Sequence, residues 1–213
     1  MSNKKKILKY YNFILLDLDG VIFNSKNNMR LSWNLCRKKF NINQSFDQYF
    51  MYLGLPINDI LKNLKIKSNF KNIINYYQKH SNKNLKKIKL YKGVKTTLDF
   101  LKRKKIKFSI ITSKNKKRSV ALLKMNKIQP NSVHCASKIK PGKPSPFLIN
   151  EAIRKNRMKY NQTCFIGDTE IDYKAAKKAN VDFIYAAYGY GQKKNYKTKI
   201  NTFKDILRFI KIQ

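Results

Sequence analysis

The chain of 213 residues holds no apolar run near the roughly 18–20 residues that cross a bilayer. Near the start, a basic cluster (Lys4, Lys5, Lys6) leads into an apolar stretch. Asp17 and Asp19 cut that stretch and no small-residue cleavage site follows, which argues against a secretory signal. The expectation is a soluble, cytoplasmic protein with no membrane partner. Cysteine is scarce: Cys36, Cys135 and Cys164 lie far apart and form no CxxC pair, and His80 and His134 are not near-neighbours of one another. Disulfides and structural zinc are therefore disfavoured, and buried free thiols are expected.

Carboxylates are the scarcest charge. Eleven Asp and Glu face 48 Lys and Arg, for a net charge of +37. Such a balance ordinarily points to nucleic acid or an anionic surface. Here 41 of the cations are Lys, spread from end to end alongside 24 Asn and 24 Ile. AU-rich codons specify all three residue types, so nucleotide bias accounts for the skew without a polyanionic partner. Arg, the better residue for bidentate phosphate recognition, numbers only 7. Disorder is excluded by 13 Phe, 13 Tyr and the 24 Ile. The length suits one core, or a core with a small insertion.

Where the few acids sit is informative. Of nine Asp, four fall in two short clusters, Asp17 with Asp19 and Asp168 with Asp172. Each cluster follows an apolar run that reads as a buried strand (Phe13 to Leu16, Phe165 to Gly167) and precedes a helix-like segment. In open parallel α/β sheets, ligands bind at the carboxyl ends of strands. Two acidic strand ends meeting there suit a hard divalent cation, and would repel one another without it. The plain alternative is helix capping, which fits Asp172 as well as a ligand role does. It does not fit Asp17.

The rest of the chain reads as a frame for those ends. Residues 12–17 form a strand followed by a turn at Gly20. From Asn27 to about Leu90 apolar residues recur at helical spacing (Met29, Trp33, Cys36, Phe40; Ile57, Ile60, Leu61, Leu64; Phe70, Ile73, Ile74, Tyr77), with a break at Gly54 to Pro56. Beyond Gly93, helices over 94–105, 116–126, 146–158, 172–179 and 203–210 alternate with strands over 107–111, 132–136, 162–167 and 182–186. The alternation predicts an α/β fold with a Rossmann-like parallel sheet flanked by helices and an inserted α-helical cap domain after the first strand. Residues 1–26 and 89–213 form the core, and residues 27–88 the cap.

Four segments line up in order at strand ends: Asp17-x-Asp19-Gly-Val, Ile110-Ile-Thr112-Ser, Gly142-Lys143-Pro-Ser-Pro and Ile166-Gly-Asp168-x-x-x-Asp172. This series resembles the haloacid dehalogenase-like hydrolase superfamily, and within it the phosphoglycolate phosphatase and β-phosphoglucomutase branch. The resemblance implies a Mg²⁺-dependent phosphomonoester hydrolase acting through an aspartyl phosphate on a small phosphorylated metabolite, as a monomer or weak dimer. It implies Asp17 as nucleophile and Asp19 as acid and base. Mg²⁺ would be held by Asp17, the backbone carbonyl of Asp19, and Asp168, with Asp172 as ligand or brace. Lys143 and Thr112 would hold phosphoryl oxygens, with Ser113 and Lys114 touching substrate. Lys140 rivals Lys143, Thr112 alternatively caps a helix, and Tyr188 to Gly191 would form a loop at the rim. A second Asp at position 19 separates phosphate chemistry from dehalogenation, because a halide leaves without a proton.

Two other functions fit parts of the pattern. A mutase of the same branch carries a His where Met29 stands, and Met29 cannot move a proton. The Asp common before the family's cap hinge is Asn24 here. A polyanion-binding protein on a hydrolase scaffold would use the net charge, but would gain nothing from carboxylates in a basic groove.

Overall fold

Alternating apolar runs and amphipathic helices build a six-stranded parallel sheet. The computed structural model describes residues 9–67, 69–192 and 195–210; the Lys4 to Lys6 cluster lies outside them. The strands are β1 (Phe13–Leu16), β4 (Lys107–Thr112), β5 (Ser132–Cys135), β6 (Thr163–Gly167), β7 (Asp182–Ala186) and β8 (Lys199–Ile200), in spatial order β5-β4-β1-β6-β7-β8. Leu16 pairs with Ile110 on one side and Ile166 on the other. The residues that follow β1 and β6 and the last residue of β4 thus emerge side by side at the carboxyl edge.

Successive side chains alternate between the two faces of this sheet as the strand period requires. Ile14, Leu16, Ile110 and Ile166 face one apolar cluster with α5 (Val94–Arg103), α6 (Lys116–Met125) and the turn of 3₁₀ helix at Phe203–Phe209. Phe13, Leu15, Ile111 and Phe165 face the other, with α7 (Phe147–Lys155) and α8 (Glu170–Lys178). Every residue of β1 is buried on both faces, as an interior parallel strand must be.

The insertion has its own core. Helices α1 (Lys26–Phe40), α2 (Phe46–Phe50), α3 (Ile57–Asn63) and α4 (Phe70–Lys83) enclose Trp33, Cys36, Phe46, Leu61 and Ile73. Trp33 stacks on Tyr49 at 4.6 Å between ring centroids and donates its indole N–H to the Gln44 carbonyl at 3.0 Å. Pro56 opens α3, because its missing N–H costs nothing at a helix start. All three cysteines are free and buried. No helix among the described residues is long and apolar enough to cross a membrane.

Several details depart from the sequence reading. β2 (Phe23–Asn24) and β3 (Lys89–Leu90) pair antiparallel where the chain enters and leaves the insertion. Such two-residue strands, like β8, are too short to show a period. The closing segment is 3₁₀ rather than α-helical: Phe203 and Ile206 are buried three residues apart, and that spacing suits three residues per turn. Helix α8 begins at Glu170, ahead of Asp172, because Thr169 is its N-cap.

Candidate active site

The carboxyl edge of the sheet collects the acids. Asp17 directly follows β1, its backbone N–H still donating to the Ile166 carbonyl at 2.9 Å. Asp168 directly follows β6, and Asp172 lies in the first turn of α8. Asp17, Asp168 and Asp172 are all buried, each offering an oxygen within 4.8 Å of the others. Lys143, from the loop between β5 and α7, enters this acidic group and is itself only 1% exposed. Its Nζ lies 2.7 Å from Asp17 Oδ1 and 2.5 Å from Asp172 Oδ1. Lys140 turns away and pairs with Glu151.

Asp172 caps α8, as its sequence context allowed, and also belongs to the buried acidic group. Its Oδ2 accepts from the Thr169 N–H at 3.0 Å and the Thr169 hydroxyl at 2.6 Å, closing a capping box. Its other oxygen holds Lys143. Asp168 is differently placed: Oδ2 accepts from the Tyr190 N–H at 2.6 Å, whereas Oδ1 is buried without a partner. Gly20, at φ +90°, takes a backbone conformation that favours glycine, and a Cβ there would lie 2.1 Å from Asp168 Oδ2. A Cβ on Gly191 would fall 1.7 Å from the Asp168 carbonyl oxygen. Backbone therefore closes on this acid from two segments far apart in sequence.

The electrostatics follow from one cation among three buried acids. Burial pushes the Asp17 carboxyl up to about 7; Lys143 opposes this, while Asp172 and Asp19 add to it. Burial, then Asp172 and Asp17, hold Asp168 well above the usual carboxylate range. For Lys143, burial disfavours the charge, but Asp17 and Asp172 outweigh it and keep the ammonium protonated. An added hard cation would relieve the repulsion and occupy the bare Asp168 oxygen. Clustered carboxylate oxygens are the donors Mg²⁺ takes, so this donor set fits that ion.

Asp19 stands apart from the trio. Its carboxylate accepts from Ser25 Oγ at 2.5 Å and pairs with Lys114 Nζ at 2.8 Å. Burial pushes the Lys114 ammonium below its ordinary range, and nearby Arg118 adds to this while Asp19 opposes it. Thr112 is buried, and its hydroxyl accepts from the Lys114 N–H at 3.2 Å. It does not cap α6; Asn115 does. Ser113 Oγ is buried and unpartnered.

These groups open on a cleft of about 530 Å³ between the sheet edge and the inserted helices. Asp17, Asp19, Thr112, Ser113, Lys114 and Lys143 line one wall; Met29, Tyr49, Pro56 and Tyr77 line the other. A Cβ on Gly142 would sit 2.6 Å from Pro56 Cγ, so the helical part rests directly on the Lys143 loop. Trp33 is fully buried in the helical core and does not line the cleft, whereas Tyr49 serves both.

Arg118 went unnoticed in the sequence, and so did the grip on Asp168 of Tyr190, which stands in the loop expected at the rim. Arg118 lines the cleft from α6; only helical spacing back to Thr112 and Ser113 could have singled it out. Tyr190 clasps Asp168 through its backbone. With only seven glycines in the chain, the two flanking Tyr190 were a usable signal of close backbone approach.

Residues 14–186 match the family model of haloacid dehalogenase-like hydrolases. A phosphoglycolate phosphatase of Aquifex aeolicus is 24% identical over 182 residues, covering 83% of this chain and 85% of that protein. The pyrophosphatase PpaX of Oceanobacillus iheyensis is 21% identical over 177 residues, covering 82% and 83%. Among solved structures, a hydrolase from Pseudomonas syringae superposes with a TM-score of 0.82 at 19% identity, covering 91% of this chain and 95% of that one. CbbY from Rhodobacter sphaeroides, in complex with phosphate, gives 0.79 at 16% identity, covering 92% and 96%. Structural likeness at such identities establishes a shared fold.

Proposed function

The chain belongs to the haloacid dehalogenase-like hydrolase family, and from that premise we propose that it is a Mg²⁺-dependent phosphomonoester hydrolase working through an aspartyl phosphate. The observation that carries the reading is the buried trio of Asp17 and Asp168 at adjacent strand ends and Asp172 in the first turn of α8, with one Asp168 oxygen bare. The names of the two relatives, a phosphoglycolate phosphatase and a pyrophosphatase, support a small phosphorylated substrate. Residues 27–88 act as the cap over a core formed by 1–26 and 89–213, excluding water and setting specificity.

Asp17, Asp168 and the backbone carbonyl of Asp19 would hold Mg²⁺, with Asp172 braced behind them by Thr169 and Lys143. The ion supplies positive charge against the phosphoryl oxygens. A carboxylate oxygen of Asp17 attacks phosphorus and the bond to the leaving oxygen breaks. Asp19 gives that oxygen its proton. The Asp19 carboxylate then takes a proton from water, whose oxygen attacks phosphorus and frees Asp17. Lys143 fixes the Asp17 carboxylate and offers charge to the phosphoryl group, and the Thr112 hydroxyl and Ser113 Oγ donate to it. Lys114, now paired with Asp19, exchanges that carboxylate for a phosphoryl oxygen when substrate enters, leaving Asp19 free to carry its proton.

Met29 lines the cleft and has no proton to relay, so hydrolysis is favoured over transfer between two positions of a sugar. The test is a panel of phosphorylated metabolites assayed with Mg²⁺ and with chelator. Phosphate release that needs the ion is expected. Steeply salt-dependent retention on nucleic acid with no hydrolysis of any panel member would replace this reading with polyanion binding.

A further inference from the structure

Arg118 is a buried cation of the cleft that the reaction above leaves unused; Lys116 and Lys138, which also line it, are exposed. It projects from α6, is 7% exposed and lines the cleft beside Lys114, Tyr49 and Tyr77. A guanidinium carries five N–H donors in a rigid fork. Its Nη2 donates to Ser81 Oγ on α4, its Nε is buried without a partner, and no carboxylate pairs with it among the described residues. Ser81 in turn bonds to Asn28, and Tyr49 bonds to Tyr77 at 3.2 Å, so its neighbours on the cap side are neutral.

The other two cations lining the same wall deep in the cleft are matched. Lys143 has Asp17 and Asp172, and Lys114 has Asp19. A buried, unpaired guanidinium is strongly disfavoured, and one near a second cation more so. Arg is also rare in this chain, where Lys outnumbers it 41 to 7, so codon drift toward Lys does not account for it. A fork of donors matches a planar carboxylate or a phosphate, which an ammonium does not.

We propose that Arg118 is a specificity-determining residue that binds a second anionic group on the substrate, at the end away from the reacting phosphoryl group. The favoured substrates are then compact molecules carrying two anionic groups, a phosphorylated carboxylic acid or a diphosphate, rather than phosphate esters of neutral alcohols. This rests on the hydrolase reading and extends it. The competing role is structural: through Ser81, Arg118 could simply pin cap to core.

The experiment compares wild type with Arg118→Met, Arg118→Lys and Ser81→Ala on 2-phosphoglycolate, inorganic pyrophosphate and ethyl phosphate. Arg118→Met should lower kcat/KM by about 10²-fold or more on whichever dianionic substrate the wild type prefers, mostly through KM, and leave ethyl phosphate within about twofold. Arg118→Lys should restore part of the loss, since it keeps the charge without the fork. Ser81→Ala should preserve the preference for a second anion. A preference for 2-phosphoglycolate identifies a carboxylate, and one for pyrophosphate a phosphate. Equal losses on all three substrates, reproduced by Ser81→Ala, would reduce Arg118 to a pin and overturn the proposal.

Calorimetry with inert phosphonates separates this from the chemistry. Wild type should bind 3-phosphonopropionate more tightly than propylphosphonate, and Arg118→Met should bind the two alike. Hydrolysis of nothing, with that binding contrast intact, defeats the hydrolase reading alone. Absence of the contrast in wild type defeats the assignment of Arg118.

Discussion

Two buried polar clusters lie against the same sheet, one at the carboxyl end of β1 and β6 and one along β5. In the second, His134 Nδ1 meets Glu151 Oε2 at 2.6 Å and Nε2 meets Ser132 Oγ at 2.8 Å. Ser132 Oγ also meets Ser109 Oγ at 2.8 Å and accepts from Asn156 Nδ2 at 2.8 Å, while Lys140 secures Glu151. Serine, histidine and acid in series have the composition of a hydrolytic triad. Yet Ser132 Oγ is shared among three partners, and none of these residues lines the cleft. Composition alone makes no active site. The β1/β6 cluster is the reverse case, with like charges held together and one oxygen bare. Of the four buried side-chain atoms without partners among the described residues, those of Ser113, Arg118 and Asp168 all lie at the cleft or its acid trio; Asn150 is the exception. Satisfied polar networks hold a fold together, whereas unsatisfied ones wait for a ligand.

Substitutions should divide along the same line. Asp17→Asn should remove turnover by on the order of 10⁴-fold or more with the circular dichroism spectrum unchanged; phosphate release near the wild-type rate would withdraw Asp17 as nucleophile. Asp19→Asn should slow formation and hydrolysis of the covalent intermediate, by about 10²–10⁴-fold, and single-turnover kinetics would show whether both steps respond. At β5 the effect should fall on stability instead. His134→Ala leaves Glu151 and Ser132 short of a partner and should cost about 1–3 kcal/mol in urea unfolding, with kcat/KM intact.

That network also carries a pH signature. Burial holds His134 below its ordinary pKa, against the pull of Glu151, so the folded protein keeps the ring neutral where the unfolded chain would protonate it. This contribution is present above about pH 6.5, the unfolded value, and is lost as pH falls toward the depressed folded one. His134→Ala should flatten the fall in stability over that range; an unaltered slope would assign it elsewhere.

The smallest effect runs in the opposite direction. Without divalent cation, Asp168→Asn relieves like-charge repulsion and should raise Tm by about 2–4 °C. Added Mg²⁺ should stabilise the wild type and not this variant. A variant that melts lower in chelator would place the acid trio with the satisfied networks.

The sequence exposed what rests on local pattern. Asp17 and Asp168 were legible because the apolar runs of β1 and β6 end on them, and Trp33 was legible as helical core from its spacing to Met29 and Cys36. Lys143 was legible only through its place in a family pattern, since nothing local separates it from 40 other lysines. Ion-pair partners were hidden: Lys114 reaches Asp19 across 95 positions, and Arg118 meets Ser81 only once cap and core are folded together. His134 looked isolated because its acidic partner Glu151 comes from α7, and Ser132, two residues away on β5, joins it in a network with Ser109 of β4 that converges only in three dimensions. The β2/β3 ribbon escaped because two residues per strand are too few to show a period.

Tyr190 touches two things at once. While its backbone N–H grips Asp168, its phenol oxygen donates to the Phe23 carbonyl at 3.1 Å and accepts from the Lys26 N–H at 3.1 Å and the Ser25 N–H. Those residues are the doorway into the inserted helices. Any swing of that doorway tugs on the ring, and any displacement of the acid tugs on the same residue from behind. The buried acid and the entrance to the inserted helices are thus tied through one residue, so that moving either pulls on the other.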